Sequence, residues 1–437
     1  MPQKQTDMKI RNFFISFIFL AAMMSCRKES TNNHVPDNPI AKELVYTGST
    51  DALSEGRYGM QVLQTGNYTC FTGGQYFTLI PLGNTPSSNI DVYQTPSGTW
   101  TRFGLSVKRE YYGAAALNDK LIVAGGYANY KYSDVIDIFD LATGQATTKK
   151  LSKARGYLAA AGAGNKILFA GGSIPVVGNF PSNAVDVYNT QTGALTTDTL
   201  SLARSALSAG SAGNKIVFAG GVAWNGSQGY YSDRADIYDV QTGTWTQATL
   251  SKPVKNLQVI SAGNKIFFFG GFHSSGYPEN VDVYDVQANR WTVLTLAGNT
   301  LYHLMASTNG SYVYFAHGQN YNYTKITAYN VGNGVANTVP LPVPMRASAM
   351  TVAANKLLIA PGVISDTVTN KVFVYDTKKG NFDTTQFNLP GKKGNFTTAT
   401  AGNKILLAGG VWDRTNGMNQ KEVTNYKTVS VFELKNK

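Results

Sequence analysis

Short apolar runs, closed by glycine and asparagine turns, fill most of the chain. In YLAAAGA (157–163) small apolar residues follow one another; Gly164 and Asn165 then lead into KILFA (166–170), apolar beyond its lysine, and a glycine pair. A turn of that composition admits positive φ and closes a tight hairpin, so the two runs read as antiparallel strands, A and B. AVDVYNT (184–190) supplies a third strand, C, around an aromatic residue. A Thr-Gly turn leads to a fourth, D, anchored by Trp100, Trp245 or Trp291 in three places. Composition agrees: 12% aromatics suit pleated surfaces and 44 glycines suit turns.

The unit repeats. AGNKILFAGG (163–172) returns as AGNKIVFAGG (212–221), AGNKIFFFGG (262–271) and AGNKILLAGG (401–410). The second glycine of the pair, or of its HG and PG variants, falls at Gly74, Gly126, Gly172, Gly221, Gly271, Gly318, Gly362 and Gly410, at intervals of 44 to 52 residues. The strand C aromatic keeps step at Tyr93, Phe139, Tyr188, Tyr238, Tyr284, Tyr329, Tyr375 and Phe432. One such unit cannot bury both of its faces, and stacked neighbours supply the core, which is the logic of a propeller. The pattern therefore predicts an all-β, eight-bladed β-propeller of four-stranded antiparallel blades over residues 41–437, with seven blades as the alternative. The chain finishes on a strand C, TVSVFELKNK (428–437), and AKELVYT (41–47) is expected to add its missing outer strand.

The glycine pair, the strand C tyrosine, the strand D tryptophan and a basic residue before strand A together resemble the kelch-repeat β-propellers. The likeness covers residues 41–437 and is distantly similar to the central domain of galactose oxidase.

Ahead of the repeats, Lys9 and Arg11 precede an apolar run (13–24) too short for a membrane-spanning helix of about 20 residues. The run ends in AAMMSC, which resembles a bacterial lipoprotein signal with Cys26 as the lipidated residue. Residues 1–25 are then a signal peptide and 26–40 a polar, proline-containing tether. That places the protein in the cell envelope, at the outer membrane or cell surface, touching the membrane through its lipid anchor alone. Cys70 is the other cysteine, so the exported part has no internal disulfide and depends on burial.

Length variation concentrates between strands B and C, where 11 to 22 residues separate the second glycine from the aromatic. Insertions on one face of a repeat array mark a binding face. These loops are rich in aromatics and amides, with Tyr127, Trp224, Phe272 and Trp412 as candidates for stacking on sugar rings. Sixteen residues before the first glycine stand Arg57, Arg109, Arg155, Arg204 and Lys393; Lys255 and Arg346 stand fifteen before it. In kelch propellers strand A lines the central channel, so the resemblance implies a basic ring at one mouth, suited to carboxylate, sulfate or phosphate. Tyr112, Tyr157, Tyr302 and His303 would share that mouth.

Formal charge is +12, partly from Lys120, Lys166, Lys215, Lys265, Lys356 and Lys404 after the A–B turns. These read as a solvated rim, and spaced single charges on an exported protein argue against nucleic acid. A copper site like that of the radical oxidases lacks its cysteine and second histidine, although Tyr157 and the Tyr302–His303 pair sit where the resemblance would put ligands. Neither phosphate loop nor zinc motif nor nucleophile elbow is present, so no catalytic residue, metal or cofactor is assigned. The expected function is a monomeric binding module for a glycan or an anionic extracellular ligand. A sugar mutarotase using Glu110 or His303, and a scaffold for an envelope protein, are the alternatives.

Overall fold

A computed structural model describes residues 42–436 except 51, 80–81, 176–179, 300–303, 320–321, 365–366, 384–386 and 416–420. Among the described residues every regular element is a β-strand. Cys26, Tyr302 and His303 lie outside the described residues.

Blade 3 shows how sequence makes the unit. Ala159–Ala163, Lys166–Ala170, Ala184–Asn189 and Leu195–Thr199 pair antiparallel in chain order as strands A to D. Strand B is apolar beyond Lys166 because both its faces are covered, whereas strand D is mostly exposed. The period of two then feeds two interfaces: Ile167 and Phe169 pack on Ile122 and Ile138 of blade 2, while Leu168 and Ala170 pack with Ile216 and Phe218 of blade 4. Each blade thus completes its neighbour's core. The tryptophans of strand D cover the strand C tyrosines, with ring centroids 5.2 Å apart for Tyr93–Trp100, 4.9 Å for Tyr238–Trp245 and 5.0 Å for Tyr284–Trp291.

Five blades of this kind run from Gln61 to Thr295. Blades 6 and 7 are joined, because the 18-residue strand Ala336–Ala353 is the outer strand of the former and the inner strand of the latter. In blade 8, Val429–Asn436 lies between Lys404–Ala408 and Lys42–Thr50. The count is eight. Cys70 is fully buried between blades 1 and 2, and burial pushes its thiol up to about 12.

Candidate binding face

The basic residues before strand A are built into the blades. Arg57, Arg109, Arg155 and Arg204 are at most 1% exposed. Arg57 and Arg109 meet Asp91 and Asp137 at 2.7 Å, and Arg155 and Arg204 pair with Asp186 and Asp236. Further guanidinium N–H groups donate to backbone carbonyls of the same blade: Arg155 Nη1 to Gly171 O at 2.7 Å, and Arg204 Nη1 to Gly220 O at 2.7 Å and Arg234 O at 2.6 Å, while the Nε atoms of Arg57, Arg155 and Arg204 are buried without a partner. Burial works against the charge of Arg155 and Arg204, and the facing aspartates work for it. A planar fork suits this task, clamping strands B and C to the lead-in of strand A. The expected arginine ring at the mouth is therefore corrected: these four side chains point into their blades and are buried out of a ligand's reach. The strand C aspartates that hold them went unread in the sequence, although Asp-Val-Tyr and its variants recur in each of the first five blades.

Two residues past each of these arginines the chain turns left-handed. Tyr111, Tyr157 and Ala206 have φ of 55°, 56° and 52°, and Asn256 and Asn395 repeat the conformation at 54° and 56°. Their backbones form a chain across the blades: Tyr157 N donates to Tyr111 O at 2.8 Å, Ala206 N to Tyr157 O at 3.0 Å and Asn256 N to Ala206 O at 3.0 Å. A left-handed non-glycine residue costs about 1–2 kcal/mol, and such strain gathers where the side chain is needed. At this ring Tyr111 and Tyr157 stack with centroids 4.4 Å apart, and they are 48% and 39% exposed. Burial, then the neighbouring Tyr111, pushes the Tyr157 hydroxyl up to about 12, and burial raises the Glu110 carboxyl. Beside them a cavity of about 290 Å³ is bordered by Gln61, Gln75, Glu110, Tyr111 and Tyr112. Tyr112 is partly buried, its hydroxyl bonded to Thr72.

The B–C segments rise from the same end. The residue after the buried basic position, or after Val254 in blade 5, bridges to the first residue after the glycine pair at Tyr58 and Gln75, Glu110 and Tyr127, Gly156 and Ser173, Ser205 and Val222, Lys255 and Phe272, and Gly394 and Val411. The variable insertions and the left-handed ring therefore share one face.

The family model for the Kelch motif matches residues 108–145, which run from just before Arg109 through strand C of blade 2. That match falls within a ring of eight four-stranded units that repeat the same features. The protein is an eight-bladed β-propeller that carries a Kelch motif. No curated protein matches the chain.

On the outer part of this candidate face, Tyr127 packs edge-on to Tyr132 at 5.4 Å. Trp224 is 39% exposed and meets Phe180 edge-on at 5.1 Å. Phe272 lies 5.6 Å from Tyr277. Trp412 stands opposite Thr424 in the hairpin Val411–Thr415 and Lys421–Asn425. Lys393 departs from expectation: it is 1% exposed, over the rings of Phe396 and Tyr426, inside blade 8. Lys255 is half-buried and Arg346 exposed. Sequence reasoning missed Tyr111, Tyr132 and Phe180 as site residues; for Tyr111 the signal was its fixed offset from the arginine.

The opposite rim of the kelch propeller is not merely solvated. Lys120, Lys215, Lys265 and Lys356 pair with Asp140, Asp239, Asp285 and Asp376 at 2.6, 2.7, 3.0 and 3.0 Å, tying A–B turns to C–D turns. Hydrogen bonds from the lysines, with backbone N–H groups, bring Asp140 and Asp239 down to about 2. Among the described residues no cluster of histidine, cysteine and acidic side chains fits a metal ion, and no helix is long and apolar enough to cross a membrane.

Proposed function

We propose that this kelch propeller is a saccharide-binding module of the cell envelope, with the B–C face as its combining surface. The fold suits a binding or protein-interaction module, and the stacked, half-exposed Tyr111–Tyr157 pair carries the finer reading. An aromatic face takes the C–H face of a sugar, and polar groups set around it take the hydroxyls. Glu110, Gln61 and Gln75 border the adjoining cavity, and Trp224 offers a second platform on blade 4. Binding of the purified protein to a saccharide panel tests this. Tyr157→Ala and Trp224→Ala should each weaken the captured saccharide by about tenfold, the scale of one aromatic contact. A folded protein that captures no saccharide and co-purifies instead with an envelope protein defeats the reading in favour of the scaffold.

Turnover of the bound sugar is a second reading, favoured by one observation: burial raises Glu110 beside the tyrosine pair, as an acid–base group needs. Anomer exchange accelerated by the protein and lost in Glu110→Gln would move the site to that class.

Residence in the envelope rests on the basic, apolar and AAMMSC segments before residue 27. Labelled fatty acid should enter the wild-type chain and not Cys26→Ser; equal labelling of both removes the anchor from the proposal.

A further inference from the structure

The basic residues of the repeat stand in two registers, and in an extended strand a one-residue offset turns a side chain to the other side. Those sixteen residues before the first glycine are buried, as Arg155 and Arg204 are. Lys255 and Arg346, fifteen before it, are half-buried and exposed. Backbone pairing confirms the offset. Val254, not Lys255, takes the arginine's place: Gly221 N donates to Val254 O at 2.8 Å, as Gly172 N donates to Arg204 O at 2.9 Å. Lys255 instead occupies the place of Ser205, its N–H donating to Phe272 O at 3.1 Å and its carbonyl accepting from Phe272 N at 3.0 Å.

The Lys255 side chain crosses from blade 5 to blade 4. Its Nζ lies 5.0 Å from the centre of the Tyr231 ring and 5.9 Å from that of Phe272. It makes no ion pair and no hydrogen bond with a described residue, unlike the lysines of the opposite rim. Two ring faces hold the ammonium in position, so less side-chain freedom is lost when an anion docks. Tyr230 and Tyr277, 40% and 36% exposed, stand in the same two B–C loops.

We infer that Lys255 is the anion-recognising group of the binding face, and that the saccharide it selects carries a carboxylate. The inference rests on the saccharide-binding reading above. A single ammonium is a point charge of +1, which balances the one negative charge of a carboxylate and only part of that of a phosphate dianion. Flanking tyrosines with exposed bodies and polar tips match the sugar that bears it.

Calorimetric titration with a linear oligogalacturonate and with its carboxyl-reduced, neutral counterpart tests the inference. The acidic oligosaccharide should bind the wild-type protein about tenfold more tightly, the scale of one charge-assisted hydrogen bond, and the preference should shrink at raised ionic strength. K255M should bring the acidic ligand down to the affinity of the neutral one, and K255R should keep most of the preference. Equal affinities in the wild type, or a preference that survives K255M, overturn the role of Lys255. If the neutral ligand still binds and Tyr157→Ala weakens it, the saccharide reading stands without this residue; if neither ligand binds, both fall. Unchanged thermal melting of K255M and K255R shows that each result concerns the site.

Discussion

Asp186 and Asp282 hold the same place on strand C, opposite Phe169 and Phe268 in their blades, yet they answer to different partners. Asp186 faces Arg155 across a fully buried contact. Asp282 has Val254 where the arginine would be, and it accepts only from Ser251, through N at 2.8 Å and Oγ at 3.0 Å. Burial consequently raises the Asp282 carboxyl. Removing one partner of a buried pair leaves a charge without its counterpart, so Asp186→Asn should cost about 3–5 kcal/mol in denaturant unfolding. Asp282→Asn keeps an acceptor for Ser251 and strands no cation, so its cost should stay within about 1 kcal/mol. Equal costs would mean that the arginine is not what makes Asp186 matter. The basic register was legible along the chain, but its meaning was not. Sequence shows a position sixteen residues from a glycine; only the paired strands show that this position turns inward, onto an aspartate more than thirty residues away in blade 3.

Strands stop where their glycines turn left-handed. In blade 3, Gly171 and Gly172 have φ of 68° and 100°, and strand B ends at Ala170. A Cβ on Gly171 would sit 2.5 Å from Arg204 O, so the pair also admits the next blade. Blade 6 has His317 before Gly318, and strand B runs through both as Tyr312–Gln319; Pro361 and Gly362 likewise lie inside Lys356–Ile364 in blade 7. The departures from the glycine pair were thus visible in the sequence, and they mark the two blades whose strand B runs on. His317 is 2% exposed, with Nε2 2.8 Å from Thr327 Oγ1 and no partner on Nδ1. Burial first, and then Lys325, lowers it from 6.5 to about 4. Between those values the unfolded chain holds a proton that the folded chain refuses, so stability is complete above 6.5 and drains as pH falls toward 4. The loss should reach roughly 3 kcal/mol. His317→Gln should flatten that part of the stability profile; a slope unchanged in this variant would assign the proton uptake elsewhere.

A ring of blades keeps its last sheet four-stranded, with only a short outer edge, while its first and last segments share a blade. Lys42–Thr50 pairs with Val429–Asn436 along nearly its whole length, with a bulge between Tyr46 and Gly48. Leu44 joins Phe432 and Leu434 in the core of blade 8, and Tyr46 lies 5.1 Å from the Phe432 ring. Thr47 Oγ1 donates to Val431 O at 3.0 Å, so side chains fasten the seam as well as the ladder. Nothing covalent backs it up, because the one cysteine among the described residues is the buried Cys70. Deleting residues 42–50 would leave the outer edge of Val429–Asn436 unpaired and uncover part of Phe432. Because each blade is buried only against the next, the damage should spread: blades 7 and 1 lose the support of a loosened blade 8. The truncated protein should melt several degrees lower in calorimetry, and it should associate with rising concentration in sedimentation as open edges pair. A peptide of residues 42–50 added in excess should reverse both effects by refilling the edge. A truncated chain that stays monomeric and melts as the intact one does would place the closure in the packing between blades rather than in this strand.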